Sequence, residues 1–318
     1  MKISGFSFMR NTDKLYYPLA ESIQSILPIV DEFIIALGKG DPDDNTEKII
    51  NSIQSNKIKI IHTEWDPNNS IGGTEYARQT DIAKEKCTGD WLFYLQSDEV
   101  VHEKYLPIIK KYCEFYLDDK RVEGFAFQYK HFFGDYDHYI ESHSWYAQEI
   151  RIIRNDKNIH SWKDAQSFRY IPNFDYKNYY QRKDTRRLSA IVLPSEIYHY
   201  GWVRPPGLMQ TKTRVMNKSY HDPQKVDSDF DKKSTEFDFG SMELLDNFQD
   251  THPFVMKEFI SKFNWKEKLH YEKSYTPTRE LMKHEKLKYR FFSWIEKKIL
   301  HRRVFAYKNF NQLKNTLI

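Results

Sequence analysis

The chain has 318 residues, of which 30% are charged and 16% are aromatic, and its formal net charge is +4. This composition excludes a disordered or fibrous protein, and the length accommodates one large domain or two modest ones. The two cysteines, Cys87 and Cys113, have no metal-ligand spacing, so we expect neither a disulfide framework nor a cysteine-bound metal.

The beginning of the chain predicts alternating strands and helices. Strand-like runs cover 2–9, 32–37 and 57–62, and helical spacing covers 17–29 and 47–54. This order is typical of a parallel sheet with right-handed crossovers. A polar loop at 66–73 and a helix at 74–86 lead to the next strand.

Residues 89–99, GDWLFYLQSDE, combine a buried-type strand with a polar cluster. The apolar run from Trp91 to Leu95 predicts a strand covered on both faces, and it ends in two adjacent carboxylates, Asp98 and Glu99. Ligands of open α/β sheets bind beyond such strand ends, and paired carboxylates there favour Mg²⁺ or Mn²⁺ carrying a substrate's phosphates. An ordinary acidic turn is the alternative.

The pattern changes after a predicted helix at 103–117. Further strands are predicted at 124–130, 149–154 and 195–202, and from Pro206 the pattern is helical with long polar loops. The aromatic segment at 131–145 contains three histidines without zinc spacing. We expect this segment either to bind sugar through rings and carboxylates or to pack as an insertion.

The order of these motifs resembles the family 2 glycosyltransferases of the GT-A fold over roughly residues 3–203. The motifs are Arg10-Asn11, Asp44-Asn45-Thr46, Ala77-Arg78-Gln79, residues 89–99 and His199-Tyr200-Gly201. The resemblance implies an α/β fold in which helices flank a mostly parallel central sheet. It implies a GT-A domain at 1–205, with a donor half at about 1–103 and an acceptor half at about 104–205, followed by a helical C-terminal region at 206–318.

The resemblance also implies transfer of a sugar from a nucleotide-diphosphate sugar to a hydroxyl acceptor, either a glycan or a lipid-linked molecule. It places Asp98 as the metal-binding aspartate of the family's Asp-x-Asp motif, with Glu99 and His199 as further ligands of Mn²⁺ or Mg²⁺. Gln96 replaces the first aspartate, and its amide hydrogen-bonds ribose hydroxyls without adding charge. A buried core histidine is the alternative role of His199.

Other donor contacts follow from the same resemblance. They are Arg10, Asn11, Arg78 and Ser97, with Asp41 or Asp43 substituting for an aspartate that the family has directly after the second strand. Arg78 fits a helix arginine near the diphosphate, and a solvated helix charge is its alternative.

An inverting reaction requires a carboxylate that takes the acceptor's proton. Asp164 resembles the family's acidic residue at the start of a helix under the acceptor, and a helix N-cap is its alternative role. Glu149 is the second candidate, with a surface ion pair to Arg151 or Lys163 as its alternative.

Two other classes of protein remain open. A nucleotidyltransferase on a similar sheet requires a glycine-rich phosphate loop after the first strand, and residues 5–9, GFSFM, do not supply one. A non-catalytic module that binds a sugar or a partner is compatible with the loss of acidity at Gln96.

The C-terminal tail has a separate charge pattern. Residues 283–318 contain ten Lys or Arg and two Glu, a net charge of +8, which leaves −4 for the rest of the chain. Residues 287–313 place Phe291, Trp294, Ile295 and Ile299 on one helical face. This pattern predicts an amphipathic helix that packs on the protein's own body or contacts anionic lipid or another protein.

The sequence also predicts a location. Met1 and Lys2 lead directly into a strand, and no run of about 18 apolar residues is present, so we expect no signal peptide and no membrane span. We expect a cytoplasmic protein, with peripheral contact at the inner face of the membrane as an option for the tail. No recognised nucleic-acid-binding fold accompanies the basic residues, so we expect no nucleic-acid partner.

Overall fold

The computed structural model describes residues 1–66, 71–301, 303 and 307–317; positions 67–70 of the predicted loop and 302, 304–306 and 318 of the tail lie outside this range. The strands are β1 (Ile3–Met9), β2 (Glu32–Gly38), β3 (Ile58–Thr63), β4 (Trp91–Tyr94), β5 (Glu99–Val101), β6 (Gly124–Phe133), β7 (His138–Ile140), β8 (Gln148–Arg154), β9 (Ile159–Trp162), β10 (Ser167–Tyr170), β11 (Arg186–Arg187), β12 (Ser189–Trp202), β13 (Asp246–Asn247) and β14 (Asn311–Gln312). The helices are α1 (Leu19–Ile26), α2 (Thr46–Ser52), α3 (Thr74–Lys84), α4 (Leu106–Phe115), α5 (Pro206–Lys218), α6 (Pro223–Phe230), α7 (Lys257–Ser261) and α8 (Leu287–Lys298).

One 11-stranded sheet runs through the molecule in the order β13-β7-β6-β8-β4-β1-β2-β3, with β12 beside β6 and with β5 and β14 beside β12. Strands β4, β1, β2 and β3 are parallel, and β12 is parallel to β6, whereas β8 joins the two groups by antiparallel pairing. The predicted α/β class, a mostly parallel central sheet flanked by helices, is confirmed.

The apolar runs of the central strands explain why helices cover both faces of the sheet. Successive side chains of a strand point to opposite faces, and both faces must be buried when every position is apolar. In β2, Phe33 and Ile35 pack in a core with α1 and α4, whereas Ile34 and Ala36 pack in a second core that contains Ala83 of α3. The carboxyl ends of the parallel strands are thereby left as the open edge of this layer.

A hairpin replaces one predicted helix. The sequence predicted that Asp164 begins or caps a helix, but Asp164 lies in the turn between β9 and β10. Lys163 and Ala165, on either side of it, both have φ of 62°. Two consecutive strands that pair antiparallel require a reversal here, and the left-handed residues make it.

The C-terminal region packs against the sheet. Phe132 of β6 and Tyr198 of β12 share a core with Met242, Met256 and Trp265. In the described part of the chain, no helix combines the length and the hydrophobicity needed to cross a bilayer.

Candidate active site

A cleft of about 590 Å³ opens where β1 and β4 end. Eight of the residues predicted from the sequence line it: Arg10, Asn11, Asp41, Gln96, Ser97, Asp98, Asp164 and His199. Parallel strands deliver their carboxyl ends to the same edge of a sheet, and this explains why Arg10 and Asp98, which are far apart in sequence, meet here.

Asp98 and His199 meet at the bottom of the cleft. Asp98 follows β4, and β12 returns beside it, with the Tyr200 backbone N–H donating to the Asp98 carbonyl at 2.8 Å. Asp98 Oδ2 and His199 Nε2 lie 3.6 Å apart. A Cβ at Gly201 would lie 2.6 Å from each of these two atoms, so only glycine lets the pair approach across this strand.

A second histidine orients His199. Burial lowers the pKa of His131 well below its usual range, so His131 is neutral. His131 Nε2 lies 2.8 Å from the Tyr146 carbonyl oxygen, which only accepts, so this nitrogen carries the hydrogen. His131 Nδ1 therefore accepts from His199 Nδ1, 3.0 Å away, and the lone pair of a neutral His199 is on Nε2, toward Asp98.

This arrangement fits a divalent cation. A nitrogen lone pair and a carboxylate oxygen 3.6 Å apart repel unless a cation or a proton lies between them. Mg²⁺ is commonly held by one or two protein ligands together with substrate phosphates and water. The described residues contain no group of three His, Cys, Asp or Glu that would hold a metal alone, so the remaining ligands would come from the donor and water.

Two cations that the sequence analysis missed surround Asp98. Lys212 of α5 places Nζ 3.6 Å from Asp98 Oδ2 and donates to the Gly201 carbonyl, and the fully buried Arg204 donates to the same carbonyl at 3.0 Å. Burial opposes ionisation of Asp98, but Lys212, Arg204 and a His199 that carries a proton on Nε2 outweigh it and hold the pKa of Asp98 well below the usual range. Burial and Arg204 lower the pKa of Lys212 to about 7 against the attraction of Asp98.

Glu99 has a different position from the one predicted. Its carboxylate is fully buried and forms a two-point ion pair with Arg151, with both N–O distances 2.7 Å. The Tyr129 hydroxyl donates to the same carboxylate at 2.7 Å. Both oxygens are engaged behind the cleft, so we leave Glu99 out of the candidate metal ligands.

Asp164 lies at the junction of two cavities. A smaller pocket of about 300 Å³ shares Trp145, Tyr146, Asp164 and Gln166 with the main cleft. The Tyr220 hydroxyl donates to Asp164 Oδ2 at 2.8 Å, which fixes the orientation of the carboxylate and leaves Oδ1 available.

Glu149 lines only the smaller pocket. It is 1% exposed, and Asn309 Nδ2 donates to its Oε1 at 3.0 Å. Burial raises the pKa of Glu149 to about 8, although Arg151 and Asn309 counteract it. A carboxyl that keeps its proton at neutral pH is a poor base, so the geometry favours Asp164 for this role.

The outer wall of the cleft is aromatic. Trp65 packs edge-on against Tyr76, Phe8 stacks on Tyr76, and the Arg10 guanidinium lies 5.2 Å from the Trp65 ring centroid. Such rings offer flat apolar faces to a base or a sugar.

The remaining predicted donor residues differ in position. Asp41 lines the cleft and pairs with Lys14 at 2.7 Å, whereas Asp43 pairs with the same lysine from an exposed position outside it. Arg78 is held by Glu75 and by the Glu64 carbonyl and is not part of the cleft wall. We therefore leave Asp43 and Arg78 out of the candidate donor site.

No family model and no curated protein matches the chain. Among solved structures, S. aureus TarS has a TM-score of 0.37 and 14% identity, covering 71% of this chain and 42% of that chain. TarS 1–349 in complex with UDP has a TM-score of 0.34 and 14% identity, covering 71% and 69%. Glucosyl-3-phosphoglycerate synthase from Mycobacterium tuberculosis, in complex with Mn²⁺, UDP and phosphoglyceric acid, has a TM-score of 0.29 and 17% identity, covering 40% and 43%.

The chain thus spans less than half the length of the TarS chain and of the synthase chain. We infer the function from the cleft itself.

Proposed function

We propose that this chain is a glycosyltransferase that moves a sugar from a nucleotide-diphosphate sugar to a hydroxyl acceptor. The observation that carries the proposal is one cleft that is lined both by the Asp98–His199 pair, with Lys212 beside it, and by an oriented carboxylate, Asp164. The Asp98–His199 pair suits binding of the donor diphosphate through a metal ion, and Asp164 suits deprotonation of the acceptor hydroxyl.

The donor would bind along the β1 and β4 edge. Asp98 and His199 are the protein groups that would hold Mn²⁺ or Mg²⁺, which when bound offsets the charge of the leaving diphosphate. Lys212 and Arg10 are positioned in the same cleft to attract phosphate oxygens. Asn11, Asp41, Gln96 and Ser97 supply polar groups for the ribose and base, and Trp65 supplies a stacking surface.

The acceptor would enter beside Asp164. Asp164 Oδ1 takes the proton of the acceptor hydroxyl while that oxygen bonds to the anomeric carbon. The bond between this carbon and the diphosphate oxygen breaks, and the electron pair leaves with the nucleoside diphosphate. Attack opposite the leaving group inverts the anomeric configuration. We further propose that the acceptor is a glycan or a lipid-linked molecule and that the reaction takes place in the cytoplasm.

The donor side is tested by thermal unfolding and by donor hydrolysis. A panel of nucleoside diphosphates is added with and without Mn²⁺, and one of them should raise the unfolding midpoint because a ligand of the native state stabilises it by mass action. The matching nucleotide sugar should then release nucleoside diphosphate slowly and in a metal-dependent manner.

Asp98→Asn should abolish both the Mn²⁺-dependent stabilisation and the release, whereas the exposed Asp118→Asn should leave both unchanged. Sugar binding without release from any donor would instead favour a non-catalytic module. Equal behaviour of Asp98→Asn and the unmodified protein would contradict the proposal.

A further inference from the structure

The outward face of α8 is apolar and uncovered. Leu287, Phe291 and Trp294 recur at helical spacing and are 79%, 58% and 52% exposed, and Ile299, just after the helix, is 57% exposed. The Phe291 and Trp294 rings stack on each other instead of on the body of the protein. Isolated exposed apolar residues are common, but an aromatic stripe along one helix indicates an interaction site.

The opposite face of α8 is already occupied by the protein. Ser293 Oγ accepts from the His143 backbone N–H at 2.9 Å, and Lys297 Nζ pairs with Asp246 at 2.6 Å. The Glu296 carboxylate, 3% exposed, lies 3.3 Å from His143 Nδ1. These contacts fix the rotation of the helix, so the apolar stripe points away from the protein.

The charges around the stripe have one sign. Lys283, Lys286, Lys288, Arg290 and Lys298 are exposed. The two carboxylates between residues 283 and 299, all of which the structure describes, are both buried: Glu296 on His143 and Glu285 in a 2.7 Å ion pair with Arg279. The outward surface of α8 therefore presents cations and apolar rings, and neither acid of residues 283–299 is exposed beside them.

We propose that α8 docks this protein on an anionic lipid bilayer. An interfacial helix inserts its apolar side chains at the depth of the headgroups, while lysines and arginines beside them contact lipid phosphates. Neither insertion of apolar side chains nor attraction to lipid phosphates gives firm attachment alone, and α8 combines both. The charge of the tail, +8 against −4 for the rest of the chain, orients the molecule with α8 toward a negative surface.

Docking through α8 would also determine which side of the cleft lies near the bilayer. His143, which α8 holds, lines the smaller pocket that adjoins Asp164. The acceptor side would therefore lie close to the bilayer, which suits a lipid-linked acceptor. This last consequence rests on the proposed function, whereas lipid binding itself does not.

Sedimentation with vesicles tests the docking without any substrate. The full chain should pellet with vesicles of equal parts phosphatidylglycerol and phosphatidylcholine, and pellet poorly with phosphatidylcholine alone or in high salt. The variant Lys286→Gln/Lys288→Gln/Arg290→Gln/Lys298→Gln should lose binding by roughly three orders of magnitude, because each of the four cations contributes about one kcal/mol near an anionic surface and about 1.4 kcal/mol is tenfold in affinity. Phe291→Ser/Trp294→Ser should lose binding as well.

Matched controls separate the site from general charge and hydrophobicity. Lys110→Gln/Lys111→Gln/Lys225→Gln/Lys232→Gln removes four exposed cations elsewhere, and Phe115→Ser/Phe254→Ser removes two exposed rings elsewhere. Both controls should bind like the unmodified chain, and all variants should unfold at similar temperatures.

Absence of binding to the anionic vesicles, or equal loss in the controls, would overturn the proposal. A dimer in light scattering that disappears in Phe291→Ser/Trp294→Ser would also overturn it, since the stripe would then serve a second copy of the chain. None of these results involves donor or acceptor, so each leaves the proposed function to its own test.

Discussion

Two carboxyl groups adjoin the candidate acceptor site, and their surroundings separate their chemistry. Asp164 is half-buried, is oriented by Tyr220 and faces both cavities. Glu149 is buried beside Asn309, and burial raises its pKa to about 8. The sequence left the choice between them open because each had a structural alternative, a helix N-cap for Asp164 and a surface ion pair for Glu149. Burial, which decides it, depends on the tertiary structure.

Replacing Asp164 tests the proposed base. Asp164→Asn should lower transfer to the acceptor by about 10²- to 10⁴-fold, because a general base contributes a factor of that order. The Asn side chain preserves the contact with Tyr220, so donor binding measured by thermal shift should be unchanged. Full transfer activity in this variant would exclude Asp164 as the base.

Replacing Glu149 should change the pH dependence of stability. The folded-state pKa of about 8 exceeds the ordinary value of 4.5, so the folded state binds the proton more tightly and loses stability as the pH rises from about 4.5 through 8. Glu149→Gln removes this loss. Unfolding midpoints of the variant and the unmodified chain should be similar at pH 5, and the variant should be more stable at pH 8.5. If the unfolding midpoints of the two proteins changed with pH in the same way, Glu149 would have an ordinary pKa.

One pattern in the sequence points to Lys212. Met209, Lys212 and Met216 share one face of α5, and a lysine on an apolar face requires an anionic partner. The partner, Asp98, is 114 positions earlier in the chain, and nothing local connects the two. The spacing of the histidines in 131–145 excludes a zinc site, but it does not indicate that His131 contacts His199.

Among the strands, the long apolar runs were predicted and the short strands were missed. β1, β2 and β4 follow from their apolar residues, because a strand buried on both faces needs nearly every side chain to be apolar. β3 is an edge strand in which Lys59 and His62 are exposed, and it follows from its isoleucines. β5 and β14 have three and two residues and exist because β12 pairs with them. Tertiary contacts, which a local pattern does not contain, create such strands.

The end of the chain is part of the core and not an appendage. β14 pairs with β12, and Phe310 next to it is 2% exposed in the same core as Leu188 and Ala190. Phe310→Ala should lower the free energy of unfolding by about 3–5 kcal/mol, as measured by urea denaturation. Phe254→Ala, at a ring 73% exposed, should change it by no more than about 0.5 kcal/mol. Equal effects would show that the terminal strand is not docked in solution.

The predicted donor half, acceptor half and C-terminal region are joined by a common sheet and a common core. The central sheet crosses the boundary between the donor and acceptor halves through the pairing of β4 with β8. The helical region from 206 shares a core with β6 and β12 and contributes Lys212 to the cleft. The core and the candidate site therefore both contain residues from either side of the predicted boundary at residue 205.

We expect the chain to unfold in one cooperative transition. Calorimetry should show a single endotherm whose calorimetric and van't Hoff enthalpies agree, because the core that contains Met242 and Trp265 also contains Phe132 of β6 and Tyr198 of β12. A fragment ending at residue 205 should be degraded rapidly by protease, since Phe132 and Tyr198 would lose their cover. Two resolved endotherms would show that 206–318 folds independently.

Lys212 and Arg204 have a practical consequence for handling the protein. Because Arg204 and Lys212 belong to the polypeptide, both favour the ionised form of Asp98 even when nothing is bound in the cleft. Chelating buffers should therefore strip any divalent ion without unfolding the protein, and material purified in them should regain full nucleotide binding when the ion is restored.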